Sequence, residues 1–247
     1  MFRTSNPALR AGTFASVPRV LGQETMTVPG AVNKTGISLL ILIFFAALTW
    51  NGTFGKGSLM PTVFVGFIGG FVVAMVTVFK KEWSPITTPL YAALEGLALG
   101  GLSLVFNLRY PGLVFNAVGL TFGVLAAMLL AYRSGLVRPT EKMKLGIVAA
   151  TGGIALVYIV SMVLGFFGRS IPFINDSGPI GIGFSVVVIV VAALNLVLDF
   201  DLIEEGARRG APRYMEWYGA FALLVTLVWL YLEILRLLAK LQGRDRR

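Results

Sequence analysis

The sequence predicts an all-α integral membrane protein with seven transmembrane helices. The first observation is composition: 56% of the 247 residues are hydrophobic and only 13% are charged, whereas a soluble domain carries about 25% charged residues. The mean hydropathy of +0.82 agrees with this class. The second observation is a series of apolar runs of roughly 20 residues, the length with which an α-helix crosses ~30 Å of hydrocarbon. These runs do not alternate in polarity, which excludes a transmembrane barrel.

The apolar runs define the predicted domain organisation. A polar cytoplasmic tail is predicted over residues 1–35, a transmembrane domain over 36–242 and a basic C-terminal tail over 243–247. The predicted spans are Ile37–Trp50, Met60–Phe79, Leu90–Phe106, Leu113–Tyr132, Leu145–Phe167, Ile180–Leu202 and Tyr214–Leu241. The first is short, and we expect it to borrow flanking residues at both ends. Glycine-rich stretches at 66–71 and 95–101 favour close helix packing in lipid.

The distribution of Lys and Arg predicts the orientation of the chain. The N-terminal tail and every second loop carry most of the basic residues, including Lys80 and Lys81 after the second span, while the opposite loops carry three. The positive-inside rule therefore places the N-terminus in the cytoplasm. Seven crossings would leave the basic C-terminal tail outside, so either the rule is broken there or the last segment is re-entrant; we favour seven crossings. The same topology explains the net charge of +9 without a nucleic-acid partner.

The absence of two residue types excludes several kinds of function. The chain has no Cys and no His, which rules out disulfides, thiolate nucleophiles and histidine general bases. Glu204 to Arg209 fits the EExxxR pattern of intramembrane proteases, but those enzymes also need histidines. We therefore predict no catalytic residues, no enzyme activity and no bound cofactor.

Ionisable residues occur where a transmembrane segment normally has none. A carboxylate at membrane depth costs about 2.5–3.5 kcal/mol on insertion scales, so it usually faces the bundle interior and finds a partner. Asn195 lies four residues before Asp199 and shares its helix face, whereas Asp201 points about 160° away. The ionisable residues at this depth are Glu95, Asp199, Asp201, Glu233 and Arg236.

One interpretation makes Asp199 and Glu233 a facing pair across the last two helices. Two carboxylates in a low-dielectric site cannot both ionise freely, so they would share a proton and titrate near neutral pH. Deprotonated, they would offer oxygen ligands to a cation such as Ca²⁺. Simpler interpretations stay open: Asp199 as a helix cap at headgroup level, Glu233 in an ion pair with Arg236, and Glu95 hydrogen-bonded to a neighbouring Ser or Tyr. Lys80 and Lys81 are most simply topology signals.

Motifs along the chain indicate a family. The sixth span contains Asp199-Phe-Asp-Leu-Ile203, of the form D-x-x-x-I, and the seventh contains Tyr231-Leu-Glu-Ile234 with Leu237, close to Y-L-D-[IF]-x-x-L. Further stretches are MTVPGAVNKTG at 26–36, EGLALG at 95–100, RYPGLV at 109–114, GPIGIGFS at 178–185 and APRYMEWYGAF at 211–221. In these motifs, their order and their spacing, the chain resembles the bacterial branch of the Bax inhibitor (transmembrane BAX inhibitor motif) family.

The resemblance implies a fold and a function. It implies seven helices with the C-terminal helix central, and a pH-sensitive Ca²⁺ leak gated by an acidic dyad between helices six and seven. By position, Asp199 and Glu233 would be that dyad, and Lys80 or Lys81 would be the basic residue at the end of helix two. The chain departs from the family in having Glu as the second acid and a longer spacing between the two acids, so Glu216 competes as the partner of Asp199.

From the residues and the resemblance together we expect a pH-sensitive calcium leak channel of the cytoplasmic membrane. The lipid bilayer and a permeant cation would be its partners. The alternative is a non-conducting regulatory protein that binds a membrane protease or another membrane protein. A proton-coupled transporter ranks last, because the two halves of the chain show no convincing inverted repeat.

Overall fold

The structure, a computed structural model, describes residues 25–53, 59–137, 139–168 and 176–245. In that part of the chain seven α-helices follow one another. They are α1 (Val28–Trp50), α2 (Leu59–Phe79), α3 (Ser84–Arg109), α4 (Leu113–Arg133), α5 (Glu141–Phe166), α6 (Pro179–Arg208) and α7 (Met215–Asp245). A single 3₁₀ turn, Lys81–Trp83, precedes α3.

All seven helices are long and apolar enough to cross a membrane. The predicted all-α class and the seven predicted spans are thereby confirmed. α7 buries 61% of its most apolar window, more than any of the other six described helices. The first 24 residues of the predicted tail, the basic residues Lys56, Arg138 and Arg169, and residues 246–247 lie outside the described residues.

The first helix begins earlier than the predicted span at Ile37. Thr27 is its N-cap, and its hydroxyl accepts a hydrogen bond from the backbone N–H of Gly30 at 3.0 Å. Pro29 occupies the first turn, where the missing N–H costs no helical hydrogen bond. These local signals start the helix at Val28.

The last two helices are longer than a bilayer is thick. α6 has 30 residues and α7 has 31, so each extends about 45 Å at 1.5 Å per residue. This exceeds the ~30 Å hydrocarbon core, and α6 continues six residues beyond its predicted end. Glu205 in that extension forms ion pairs with Arg208 at 2.9 Å and Arg209 at 2.6 Å. The extra turns account for the long sequence separation between Asp199 and Glu233.

The described residues divide into two compact units. The first contains α1 to α3, α6 from Asp201 onward and α7 up to Val225. The second contains α4, α5, α6 up to Phe200 and α7 from Thr226 onward. α6 and α7 thus contribute residues to both units.

Glycines bring the helices of the first unit close together. On α3, Gly96 and Gly100 lie one turn apart, and a Cβ at either position would collide with the α1 backbone at Leu42 or Ala46. On α2, a Cβ at Gly66 would lie 2.7 Å from the Leu94 carbonyl oxygen. The predicted close packing at the two glycine-rich stretches is therefore confirmed.

The second unit has an apolar core between α5 and α6. Ile154, Val188 and Val191 form its buried centre, and the side chains of Tyr158, Phe184 and Trp229 pack against it. Tyr158 and Trp229 come from α5 and α7, so all three helices meet around this core.

We expect Gly66→Ala to lower the free energy of unfolding by about 1–3 kcal/mol, because the added methyl group cannot fit without moving α2 from α3. The measurement is thermal unfolding in detergent micelles. Gly119→Ala on α4 is the matched control, since a Cβ there meets nothing within 4 Å. Equal effects of the two substitutions would contradict the packing described for α2 and α3.

Candidate functional site

Asp199 is a fully buried carboxylate on α6 in the second unit. The residue is 1% exposed. Its Oδ2 accepts a hydrogen bond from the Thr226 hydroxyl on α7 at 2.6 Å. This contact joins the two C-terminal helices at the point where α6 and α7 enter the second unit.

One turn earlier on α6, Asn195 joins the same helix to α5. Its side-chain amide donates to the Thr151 hydroxyl at 2.9 Å and to the Val191 carbonyl oxygen at 2.8 Å. Asn195 is 3% exposed, which agrees with the predicted shared face of Asn195 and Asp199. Asp201, two residues further on, is only half-buried.

Glu233 on α7 is the second buried carboxylate of this unit. Its Oε1 accepts from the Tyr158 hydroxyl at 2.6 Å and from Arg236 Nη1 at 2.7 Å. The same nitrogen also donates to the Tyr158 hydroxyl at 2.7 Å, and the guanidinium lies 5.1 Å from the centre of the tyrosine ring. Glu233 Oε2 is buried and receives no hydrogen bond from the described residues. The predicted ion pair between Glu233 and Arg236 is present.

Two turns beyond Glu233, Lys240 is a buried cation. It is 5% exposed, and its ammonium donates to the Gly181 carbonyl oxygen and to the Ser185 hydroxyl, both at 2.9 Å. Gly181 and Ser185 lie one turn apart at the start of α6. This contact joins α6 and α7 at the opposite end from Asp199.

These groups lie at successive levels along α6 and α7, and together we call them the polar stripe. It runs between antiparallel α6 and α7, because Asp199 contacts Thr226 while Ser185 contacts Lys240. From Ser185 to Asp199 and from Thr226 to Lys240 the stripe covers about 21 Å of each helix. It therefore extends through most of the ~30 Å thickness of a hydrocarbon core. The residues of the polar stripe are Tyr158, Ser185, Asn195, Asp199, Thr226, Glu233, Arg236 and Lys240.

The structure gives Asp199 and Glu233 different hydrogen-bond partners. Thr226, which binds Asp199, lies seven residues before Glu233 on α7, and this separation is about 10.5 Å along the helix axis. Both carboxylates belong to the polar stripe, but they occupy different levels of it. In the part of the chain that the structure describes, no group of three or more Asp or Glu side chains converges as a metal site.

Glu95 is buried in the first unit. It is 7% exposed, its carboxyl accepts a hydrogen bond from Tyr91 one turn earlier on α3, and Oε2 receives none from the described residues. A Cβ at Gly70 on α2 would lie 3.0 Å from Glu95 Oε1, so the glycine leaves room for the carboxyl group. This is the expected hydrogen bond between Glu95 and a neighbouring tyrosine.

Glu216, in the first turn of α7, holds the start of α1. Its Oε1 accepts from the backbone N–H and the hydroxyl of Thr27, both at 2.9 Å, and its Oε2 pairs with the Lys34 ammonium at 2.6 Å. A Cβ at Gly30 would collide with the carboxylate. Glu216 is thus engaged with α1, while the hydrogen bond described for Asp199 comes from Thr226. We call this contact the α1 clamp.

The turn between α6 and α7 belongs to the same region of the first unit. The Met26 backbone N–H donates to the Ala211 carbonyl oxygen at 2.6 Å, and the Ser84 hydroxyl donates to the Tyr214 carbonyl oxygen at 2.8 Å. Burial, together with the nearby Glu82 carboxylate, raises the pKa of Tyr214 above its usual value.

The two lysines between α2 and α3 have different surroundings. Lys81 lies 5.9 Å from the centre of the Tyr218 ring, and Lys80 is exposed.

Sequence reasoning missed Thr226, Ser185 and Lys240 as members of the site. A usable signal was present in their spacing, because Thr226, Glu233 and Lys240 recur every seven residues and so lie on one face of α7. It is weak in isolation, since single polar residues at helix ends are common in membrane proteins.

Comparisons with known proteins agree with the motifs. A family model described as Bax inhibitor 1 like matches residues 6–243, which is nearly the whole chain. No curated protein and no solved structure matches it.

We expect Glu216→Gln to lower the free energy of unfolding by about 1.5–3 kcal/mol, because the α1 clamp loses hydrogen bonds to a charged group. Unfolding in detergent micelles measures the change. Glu205→Gln is the control: its ion pairs to Arg208 and Arg209 are exposed to solvent, and such pairs contribute about 0–1 kcal/mol. A Glu216→Gln protein as stable as the control would contradict the clamp.

Proposed function

This chain belongs to the Bax inhibitor 1 like family, and on that premise we propose that it is a pH-sensitive cation leak channel. Ca²⁺ is the cation we expect it to pass, as cargo and not as a resident cofactor. Protonation of Asp199 and Glu233 would gate the passage. The role is transport, with no catalytic step.

The observation that carries this proposal is the pair of buried carboxylates within two transmembrane helices. Asp199 and Glu233 are 1% and 2% exposed. Ionisable groups at membrane depth are costly and mark ion or proton pathways in membrane proteins. Both groups lie in the polar stripe, whose hydroxyl, amide and carboxyl groups offer a cation oxygen contacts over about 21 Å.

Each carboxyl group would respond to protons through its own partners. Asp199 faces the Thr226 hydroxyl, so a proton on Asp199 would turn an acceptor oxygen into a donor and change the contact that joins α6 to α7. Glu233 faces Tyr158 and Arg236, and a proton there would cancel the ion pair with Arg236. Either change alters a contact of the polar stripe, and it removes negative charge that would attract a cation.

The ligand requirements of Ca²⁺ agree with passage and not with tight binding. Ca²⁺ in stable sites takes six to eight oxygen ligands from several carboxylates, and conduction requires that each contact be weak enough to release the ion. Single carboxylates at two levels would supply such weak contacts. Asn195 would supply a further polar contact beside Asp199.

We also propose that the protein lies in the cytoplasmic membrane with its N-terminus inside. The distribution of Lys and Arg among the loops supports this orientation. Among the described residues, Lys80, Lys81, Lys144 and Arg133 lie on the side that the rule assigns to the cytoplasm.

The alternative is a non-conducting regulatory protein in which the buried charges are structural. The ion pair between Glu233 and Arg236, at 2.7 Å, favours it, because an arginine already neutralises this carboxylate. Such a protein would bind a membrane protease or another membrane protein through its helices.

Flux measurements distinguish the two functions. The protein would be reconstituted in liposomes that contain a calcium-sensitive dye, and the Ca²⁺ flux would be measured across about pH 6 to 8. We expect a Ca²⁺ flux that changes with pH in the wild type, and a flux that no longer changes in the double variant Asp199→Asn, Glu233→Gln.

Glu141→Gln is the control variant, since Glu141 is exposed and pairs loosely with Lys144 at 3.7 Å. It removes one negative charge and should keep the wild-type pH profile. A double variant with that same profile would show that the gate has been assigned to the wrong residues. A wild-type flux equal to that of empty liposomes, together with a stable membrane-protein partner in pull-down, would favour the regulatory function.

A further inference from the structure

Lys240 occupies a position that is costly for a cation. It is 5% exposed in a helix that is long and apolar enough to cross a membrane. A buried ammonium group is stable only when oxygen atoms replace the water it has lost. The Gly181 carbonyl oxygen and the Ser185 hydroxyl do this at 2.9 Å each.

The Gly181 and Ser185 oxygen atoms supply two ligands to a positive charge, which here is the Lys240 ammonium. Both are hard, uncharged oxygen ligands on one helix turn, and backbone carbonyl oxygens are among the ligands that Ca²⁺ takes in proteins. The Lys240 ammonium carries the same charge as a monovalent cation, but a side chain tethers it in place.

The charges around Lys240 strengthen this interpretation. Glu233, Arg236 and Asp176 lie close enough to interact with it electrostatically. Two of the four charges are therefore tethered cations, and both lie on the part of α7 beyond Glu233. At the other end of the polar stripe, Asp199 contacts a neutral hydroxyl. The stripe thus has an acidic end and an end where tethered cations hold the oxygen ligands.

We propose that the Lys240 ammonium fills a cation position formed by Gly181 O and Ser185 Oγ, and that it thereby closes this end of the polar stripe to mobile cations. Lys240 would be the residue that keeps the resting leak small. The inference rests on the proposed function in so far as the stripe conducts cations. The cation position itself rests only on the contacts of Lys240.

The Ser185 hydroxyl keeps a hydrogen-bond acceptor when Lys240 is replaced. Ser185 follows Gly181 by four residues, so the freed hydroxyl can donate to the Gly181 carbonyl within α6.

The natural absence of cysteine permits a direct test. Lys240→Cys would be reconstituted in liposomes with a calcium dye, and we expect a resting Ca²⁺ flux severalfold above that of the wild type. Reaction with methanethiosulfonate ethylammonium attaches an ammonium group through a disulfide, at a length close to that of lysine. We expect this reagent to return the flux toward the wild-type value.

Two controls isolate the role of the charge. Methanethiosulfonate ethylsulfonate attaches a group of similar size and negative charge, and it should leave the flux high. Lys144→Cys removes a cation from an exposed ion pair, and it should leave the flux unchanged before and after either reagent. A second measurement is thermal unfolding of Lys240→Cys in detergent with Ca²⁺ or Tl⁺, compared with N-methylglucamine. We expect either metal ion to stabilise this variant but not the wild type.

The outcomes separate this inference from the proposed function. A pH-sensitive wild-type flux with an unchanged Lys240→Cys flux would overturn the role of Lys240 and leave the channel function intact. Flux in none of the proteins, with metal-ion stabilisation of Lys240→Cys, would overturn the channel function and support the cation position. If Lys240→Cys shows no increase in flux and no stabilisation by either metal ion, the cation position is overturned.

Discussion

The constraint on which the structure depends is that a polar group inside a transmembrane bundle needs a partner on a neighbouring helix. Lipid offers none, and an unsatisfied group there costs several kcal/mol. Asp199, Asn195, Glu233 and Lys240 each find a partner on another helix. Each contact contributes only about 1 kcal/mol between membrane helices, but a shift of α6 against α7 by one residue would break several at once. The polar stripe therefore sets the register of the second unit.

Different groups hold the helices of the first unit in place. Its helices approach closely at glycines, as at Gly66 and Gly100, so close packing holds α1, α2 and α3 together. The α1 clamp is an ionic contact that joins α1 to α7 there, with Glu216 between Thr27 and Lys34. α7 contributes to both units, with Glu216 in its first turn and the stripe residues further along.

The charged groups of the polar stripe would both attract cations to the proposed channel and limit their passage through it. A line of oxygen ligands with two carboxylates would attract cations, whereas Arg236 and Lys240 supply tethered positive charges at one end. The arginine and the lysine balance the charges of the two carboxylates, so the stripe carries little net charge. A cation would then pass only when a tethered charge moves or a contact between helices loosens, as a leak with a small resting rate requires.

The sequence by itself determined the membrane class, the seven helices and the two buried acids. Hydrophobic length and charge depletion are properties of each segment alone, so they can be detected without knowing any contact. The tertiary structure decided which groups meet: Asp199 with Thr226, Glu233 with Tyr158, and Lys240 with Ser185. It also showed that Glu216, from the far end of the chain, holds the start of α1. A hydrogen bond between two helices requires their relative position to be correct to within a fraction of the 1.5 Å rise per residue. That position follows from the packing of whole helix faces and not from any one segment.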